Sequence, residues 1–129
     1  MHFIGHYLLV ATLFAVIDSI WLTTVANKFY KQQLGGLLLA KPKFGPAILF
    51  YIIAVFGIVI FALNPALGAR SFSYALAHGA LLGLVTYSTY DLTNLSTLKK
   101  WPVKMSIVDM AWGTLVTAAV TSVAYLILK

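Results

Sequence analysis

Four apolar stretches, each about as long as a bilayer is thick, take up most of this chain: residues 3–26, 44–63, 72–95 and 103–128. An α-helix rises about 1.5 Å per residue, so about 20 consecutive apolar residues cross the ~30 Å hydrocarbon layer. Within lipid every backbone N–H and C=O must be paired inside its own segment, and runs of this length meet that demand as helices. A water-soluble alternative fails on polarity. Charged residues are 9% of the 129, against about 25% in soluble domains, too few to cover a water-facing surface. The reading is an all-α membrane protein, a four-helix transmembrane bundle forming a single domain over residues 1–129.

The breaks between the runs carry turn signals and charge. Asn64-Pro65 closes the second run, and Trp101-Pro102 stands just ahead of the fourth, where proline suits a helix start. The first run lacks a basic beginning and a small-x-small cleavage pattern, so no cleaved signal peptide is expected. Lys28, Lys31, Lys41 and Lys43 follow the first run, and Lys99, Lys100 and Lys104 surround the start of the fourth. With four spans these two groups share one side, and only Arg70 and Lys129 fall on the other. The positive-inside rule puts the lysine-rich side in the cytoplasm and both termini outside. The net charge of +6 is therefore a topology and lipid-contact signal, and no nucleic-acid partner is expected. Residues 27–43 mix Phe29, Tyr30, Leu34 and Leu37–Leu39 with lysines and glutamines. They read as a loop lying in the headgroup region, or as an ordinary loop continuing the first helix.

The chain holds three acids, all aspartates, and none stands in an open polar loop. Asp18 is inside the first run, Asp91 near the end of the third and Asp109 in the second turn of the fourth. An ionisable group within a span costs a few kcal/mol even on lenient scales, and so marks a candidate functional position. Helix direction places all three in the lysine-rich half of the bundle. The first and fourth runs also share a short pattern. Asp18-Ser-Ile-Trp21-Leu-Thr23 and Asp109-Met-Ala-Trp112-Gly-Thr114 are both Asp-x-x-Trp-x-Thr after two branched aliphatics. The two helices run in opposite directions, as the halves of an inverted repeat do.

In the third run Gly79, Gly83, Tyr87, Tyr90, Asp91 and Asn94 recur at spacings of three and four. The glycines permit close helix approach, and the tyrosines supply donors. The second run offers only Tyr51 in its middle and reads as lipid-exposed and chemically inert. Together these features predict a polar pocket formed by the first, third and fourth helices. Asp18 and Asp109 are its anionic centre, with Trp21, Trp112, Tyr87, Tyr90, Asp91 and Asn94 around them.

Plainer readings stand beside each feature. Asp18 and Asp109 can serve as hydrogen-bonding glue between helices. Asp91 can pair with Lys99 or Lys104, Trp101 can belong to an interfacial aromatic belt, and Asn94 and Thr97 can cap helix ends. His2, His6 and His78 gather at the opposite, outer end. Two of them could ligate haem and three a transition metal, but interfacial histidines are more often solvated, so no cofactor is predicted. The chain has no cysteine, which excludes disulfides and thiolate chemistry.

One segment is distinctive: Tyr87-Ser-Thr-Tyr90-Asp91-Leu-Thr93-Asn94-Leu-Ser-Thr97-Leu-Lys99-Lys-Trp101-Pro102, followed by Val108-Asp109-Met-Ala-Trp112-Gly113. With the Asp18–Trp21 pattern it resembles a family of small bacterial predicted membrane proteins known only as a domain of unknown function. The resemblance spans essentially the whole chain. It implies a four-helix protein of the bacterial inner membrane and supplies no reaction, substrate or cofactor.

The expected function is the binding or transport of a small cation, proton or polar lipid held at the acids; the expected partners are that ligand and membrane lipids, and a homo-oligomer is compatible with the small-residue faces. The competing classes are a membrane enzyme of lipid or isoprenoid metabolism, with Asp18 or Asp109 as its acid–base or metal-holding group, and an accessory subunit of a larger membrane complex.

Overall fold

The computed structural model describes residues 2–38, 41 and 43–129. Among these, all regular structure is helical: α1 (His2–Trp21), α2 (Asn27–Leu34), α3 (Phe44–Ile58), α4 (Asn64–Ala69), α5 (Phe72–Thr97) and α6 (Val103–Leu128). A π-helical turn, Leu22–Ala26, joins α1 to α2, and a second, Val59–Leu63, joins α3 to α4. The six segments therefore form four rods, and the all-α four-helix architecture is as predicted. Of these, His2–Leu37, Phe44–Ala69 and Val103–Leu128 are long and apolar enough to cross a membrane. The rod α5 is 26 residues long but more polar, because its stripe of tyrosine, aspartate and asparagine dilutes the apolar run.

Two boundaries differ from the sequence expectation. Asn64-Pro65 does not end the second rod, which continues to Ala69. The π turn before Asn64 starts a new first turn there, where proline's missing N–H leaves no intrahelical bond unmade. Residues 27–34 are helical and extend the first rod. Of the segment predicted over 27–43, residues 39, 40 and 42 lie outside the described residues. The π turn at Leu22–Ala26 inserts one extra residue, which rotates the face of α2 by about 100° relative to α1.

Successive rods are antiparallel. Gly79, Gly83 and Tyr87 of α5 meet Thr121, Thr117 and Gly113 of α6 in turn. A Cβ on Gly83 would strike the Gly113 carbonyl oxygen, and one on Gly113 would strike the Tyr87 ring. These glycines therefore set the spacing of the α5–α6 pair, as small residues do between membrane helices.

The main apolar core joins Val10 and Phe14 of α1, Val55 and Ile58 of α3, Ala75 of α5, and Val116 and Val120 of α6. A second cluster at the lysine-rich end packs Leu34, Trp101 and Met105 with Phe29, Tyr30 and Leu95. Lys100 takes a left-handed conformation, φ 63°, and turns the chain so that Trp101 enters this cluster. Trp101 is buried, and its Nε1 donates to Ser106 Oγ at 3.0 Å. It is a packing residue here and does not face outward as an interfacial belt would. The outer surface is the reverse of a soluble protein's: Ile4, Leu8, Ile53, Phe61, Leu115 and Ile127 are all more than half exposed. Such an apolar exterior suits lipid contact.

Candidate functional site

The acids converge where α1, α2, α3, α5 and α6 meet near the lysine-rich end. Asp18 is buried on α1. Its Oδ1 accepts from Trp112 Nε1 of α6 at 3.0 Å, and its Oδ2 accepts from the Tyr51 hydroxyl of α3. Asp109, buried on α6, accepts through Oδ1 from the Tyr30 hydroxyl of α2 at 2.5 Å. Between the two acids the indoles of Trp21 and Trp112 stack, with centroids 4.5 Å apart and planes 8° from parallel. The Asp-x-x-Trp spacing explains this. Each Trp lies one turn along its helix from its Asp, on the same face. Because α1 and α6 run in opposite directions, each indole points back over the other helix.

Asp91 is the most enclosed of the three, with no exposed surface. It faces the Asp109 carboxyl closely enough for the two to interact directly, yet neither of its oxygens has a hydrogen-bond partner. The expected pairing with Lys99 or Lys104 does not form: the helical turn around Asp91 points its side chain at α6, away from the loop. Ser106 fixes that arrangement by donating its hydroxyl to the Asp91 carbonyl at 3.0 Å while accepting from Trp101. Burying a carboxyl group with two unused oxygens costs several kcal/mol unless a proton or cation joins it.

The other predicted pocket residues divide. Tyr87 is half-buried and lies in the neighbourhood of Asp18 and Tyr51, its ring over Gly113 and edge-on to Phe50. It makes no hydrogen bond to either acid among the described residues. Tyr90 is 55% exposed and packs edge-on against Trp101, with Asn94 beside it; these two form the margin of the cluster. The structure thus brings Asp18, Trp21, Tyr87, Asp91, Asp109 and Trp112 together.

Two residues that sequence reasoning left out supply hydrogen bonds to the acids. Tyr51 makes the second rod a contributor, so that rod is not inert. A lone tyrosine in the middle of an apolar span was the available signal, since a buried hydroxyl needs a partner. Tyr30 carried a weaker signal, because the π turn shifts its face out of the periodicity of the first run.

The His2 and His6 rings lie 6.3 Å apart on α1. His6 Nδ1 lies 3.1 Å from Asn64 Oδ1. His78 stacks on Tyr74 at 3.6 Å and contacts the Tyr74 carbonyl. His2 is exposed. Among the described residues no group of three His, Cys, Asp or Glu side chains is placed to hold a metal ion.

Comparison with known proteins places residues 3–126 within a family described as a predicted membrane protein, a domain of unknown function. No curated protein and no solved structure matches the chain.

Proposed function

The chain belongs to the family described as Predicted membrane protein (DUF2177), and from that premise we propose that its acidic cluster binds a cationic group. The candidates are a small cation, a proton or the polar headgroup of a lipid. The observation that carries this reading is the convergence of three buried carboxyls whose partners are all uncharged. Asp18 is bonded by Tyr51 and Trp112 and Asp109 by Tyr30, while Asp91 receives no donor and faces only the Asp109 carboxyl. Hydrogen bonds from neutral donors hold a carboxylate in place without cancelling its charge, and aromatic walls add favourable contact with a cation.

In this reading the four rods span a bacterial inner membrane, with both termini outside and the lysine-rich end in the cytoplasm. The cluster then opens toward the cytoplasmic leaflet, and the pairing of α1 with α6 forms an inverted repeat around it. Native mass spectrometry on protein extracted gently from its own membrane tests the proposal. A discrete bound mass or a cation adduct is expected, and it should vanish in the double variant Asp18→Asn/Asp109→Asn. A bound species that survives the double variant would sink the reading.

A further inference from the structure

A groove runs along the outside of the bundle between α1 and α3, from Tyr7 to Leu22, and Asp18 lines it one turn short of its lysine-rich end. It encloses about 360 Å³, at the small end of the ~300–1,000 Å³ range of small-molecule sites. Ala11 and Ala15, one turn apart on α1, leave its floor open, while Ile48, Ile52 and Val55 of α3 form the facing wall. Leu22, Ile48 and Ile52 on its rim are 40–57% exposed, so the groove is open along its side. Its far end is closed by Tyr7, whose hydroxyl is already spent on the Ile52 carbonyl at 2.9 Å. From residue 7 to residue 18 the helix advances about 16 Å. Along that length Asp18 is the only lining residue that carries a formal charge.

We infer that this groove seats the apolar body of a lipophilic ammonium compound, with the cationic head at Asp18. The inference rests on the cation reading above and narrows it to an amphiphile that arrives through the lipid. Three features select that chemistry. The walls are apolar and face the hydrocarbon phase. The one charged lining residue is an acid, set in the part of the groove nearer the lysine-rich side. The Tyr51 ring lies beside that charge, where it can contact a quaternary head through its face. A two-chain phospholipid is too bulky for the volume, and a bare inorganic cation would gain nothing from the apolar length.

The test uses the intact protein in phosphatidylcholine nanodiscs, with radiolabelled decyltrimethylammonium as the probe and empty nanodiscs subtracted. Saturable binding near one per chain is expected. Decanol, with the same chain and no charge, should compete poorly. Ala15→Phe and Ile48→Trp fill the groove from its two walls at exposed positions, and each should weaken binding by about tenfold or more. Thermal melting of both variants verifies that they remain folded. Asp18→Asn should weaken the probe by a similar factor.

Binding that is unchanged by both groove-filling variants, or equal competition by decanol, overturns the inference. If Asp18→Asn abolishes probe binding while the groove variants do not, the groove falls and the cation reading stands. If the wild-type protein binds no probe, the groove also falls, and the native mass measurement alone then decides the cation reading.

Discussion

The surroundings of Asp18 and Asp109 start from the same local sequence and end differently. Each aspartate is followed by Trp at the third position and Thr at the fifth. Each Thr hydroxyl bonds back to the carbonyl of the residue after the Asp, Thr23 to Ser19 and Thr114 to Met110, both at 2.8 Å. The two indoles stack between them. The symmetry breaks at the hydrogen bonds. Trp112 donates across to Asp18, but the mirror bond from Trp21 to Asp109 is absent, and Trp21 Nε1 has no partner. Tyr30, which has both Trp21 and Asp109 as neighbours, takes that acid instead. Asp18 is therefore doubly bonded in the lining of an apolar groove. Asp109 has one donor and the unpartnered Asp91 before it. The same short motif stands on both helices, and Tyr51 and Tyr30, which lie outside it, make the surroundings of its two acids chemically unequal.

The severest way to break both ends at once is Gly113→Val. The added carbons meet the Tyr87 ring directly and force α5 and α6 apart. A loss of about 3 kcal/mol or more is expected, read as loss of the monodisperse peak on size exclusion and of the thermal transition. Next in size, Asp18→Ala strands two donors and Asp109→Ala one. Denaturant titration in bicelles should give losses of about 2 and about 1 kcal/mol. Equal losses would mean that the two ends are energetically alike.

Asp91→Asn should act in the opposite direction. Replacing one of two facing buried carboxyls by a neutral amide of the same size, which can donate to Asp109, raises stability by about 1 kcal/mol, while the bound cation of the proposed function is weakened. That opposed pair of changes marks a residue kept for binding at a cost in stability. The finest test compares the two tryptophans. Trp112→Phe loses a hydrogen bond to Asp18 and Trp21→Phe loses none, so the first should cost about 0.6 kcal/mol more, the usual worth of such a bond between membrane helices. Melting temperatures of the two variants, measured side by side, decide it.

Much of the site was legible because intramembrane acids are costly. Asp18, Asp91 and Asp109 stand out in any apolar run, and helix direction alone places them in one half of the bundle. The Asp-x-x-Trp repeat was readable too, because positions three apart share a helix face. Tyr30 was hidden by the π turn at Leu22–Ala26, which shifts the helix phase and which no local composition announces. The fate of Asp91 was hidden as well. Lys99 and Lys104 are near it in sequence, but which side of α5 faces α6 depends on where Gly79, Gly83 and Gly113 let the backbones meet.

What this sequence determines by itself is its solvent and its architecture. Runs of this length and polarity form helices in lipid, and too few charges remain for anything else. The acids and aromatics likewise announce themselves by their cost of burial. What only the tertiary structure decides is which groups meet: Trp112 with Asp18, Tyr51 with Asp18, Tyr30 with Asp109, and Asp91 with nothing but a second acid. Those pairings depend on the rotation and separation of whole helices. These are set by glycine contacts and π turns many residues away, and side-chain chemistry alone cannot choose among the faces that a helix could present.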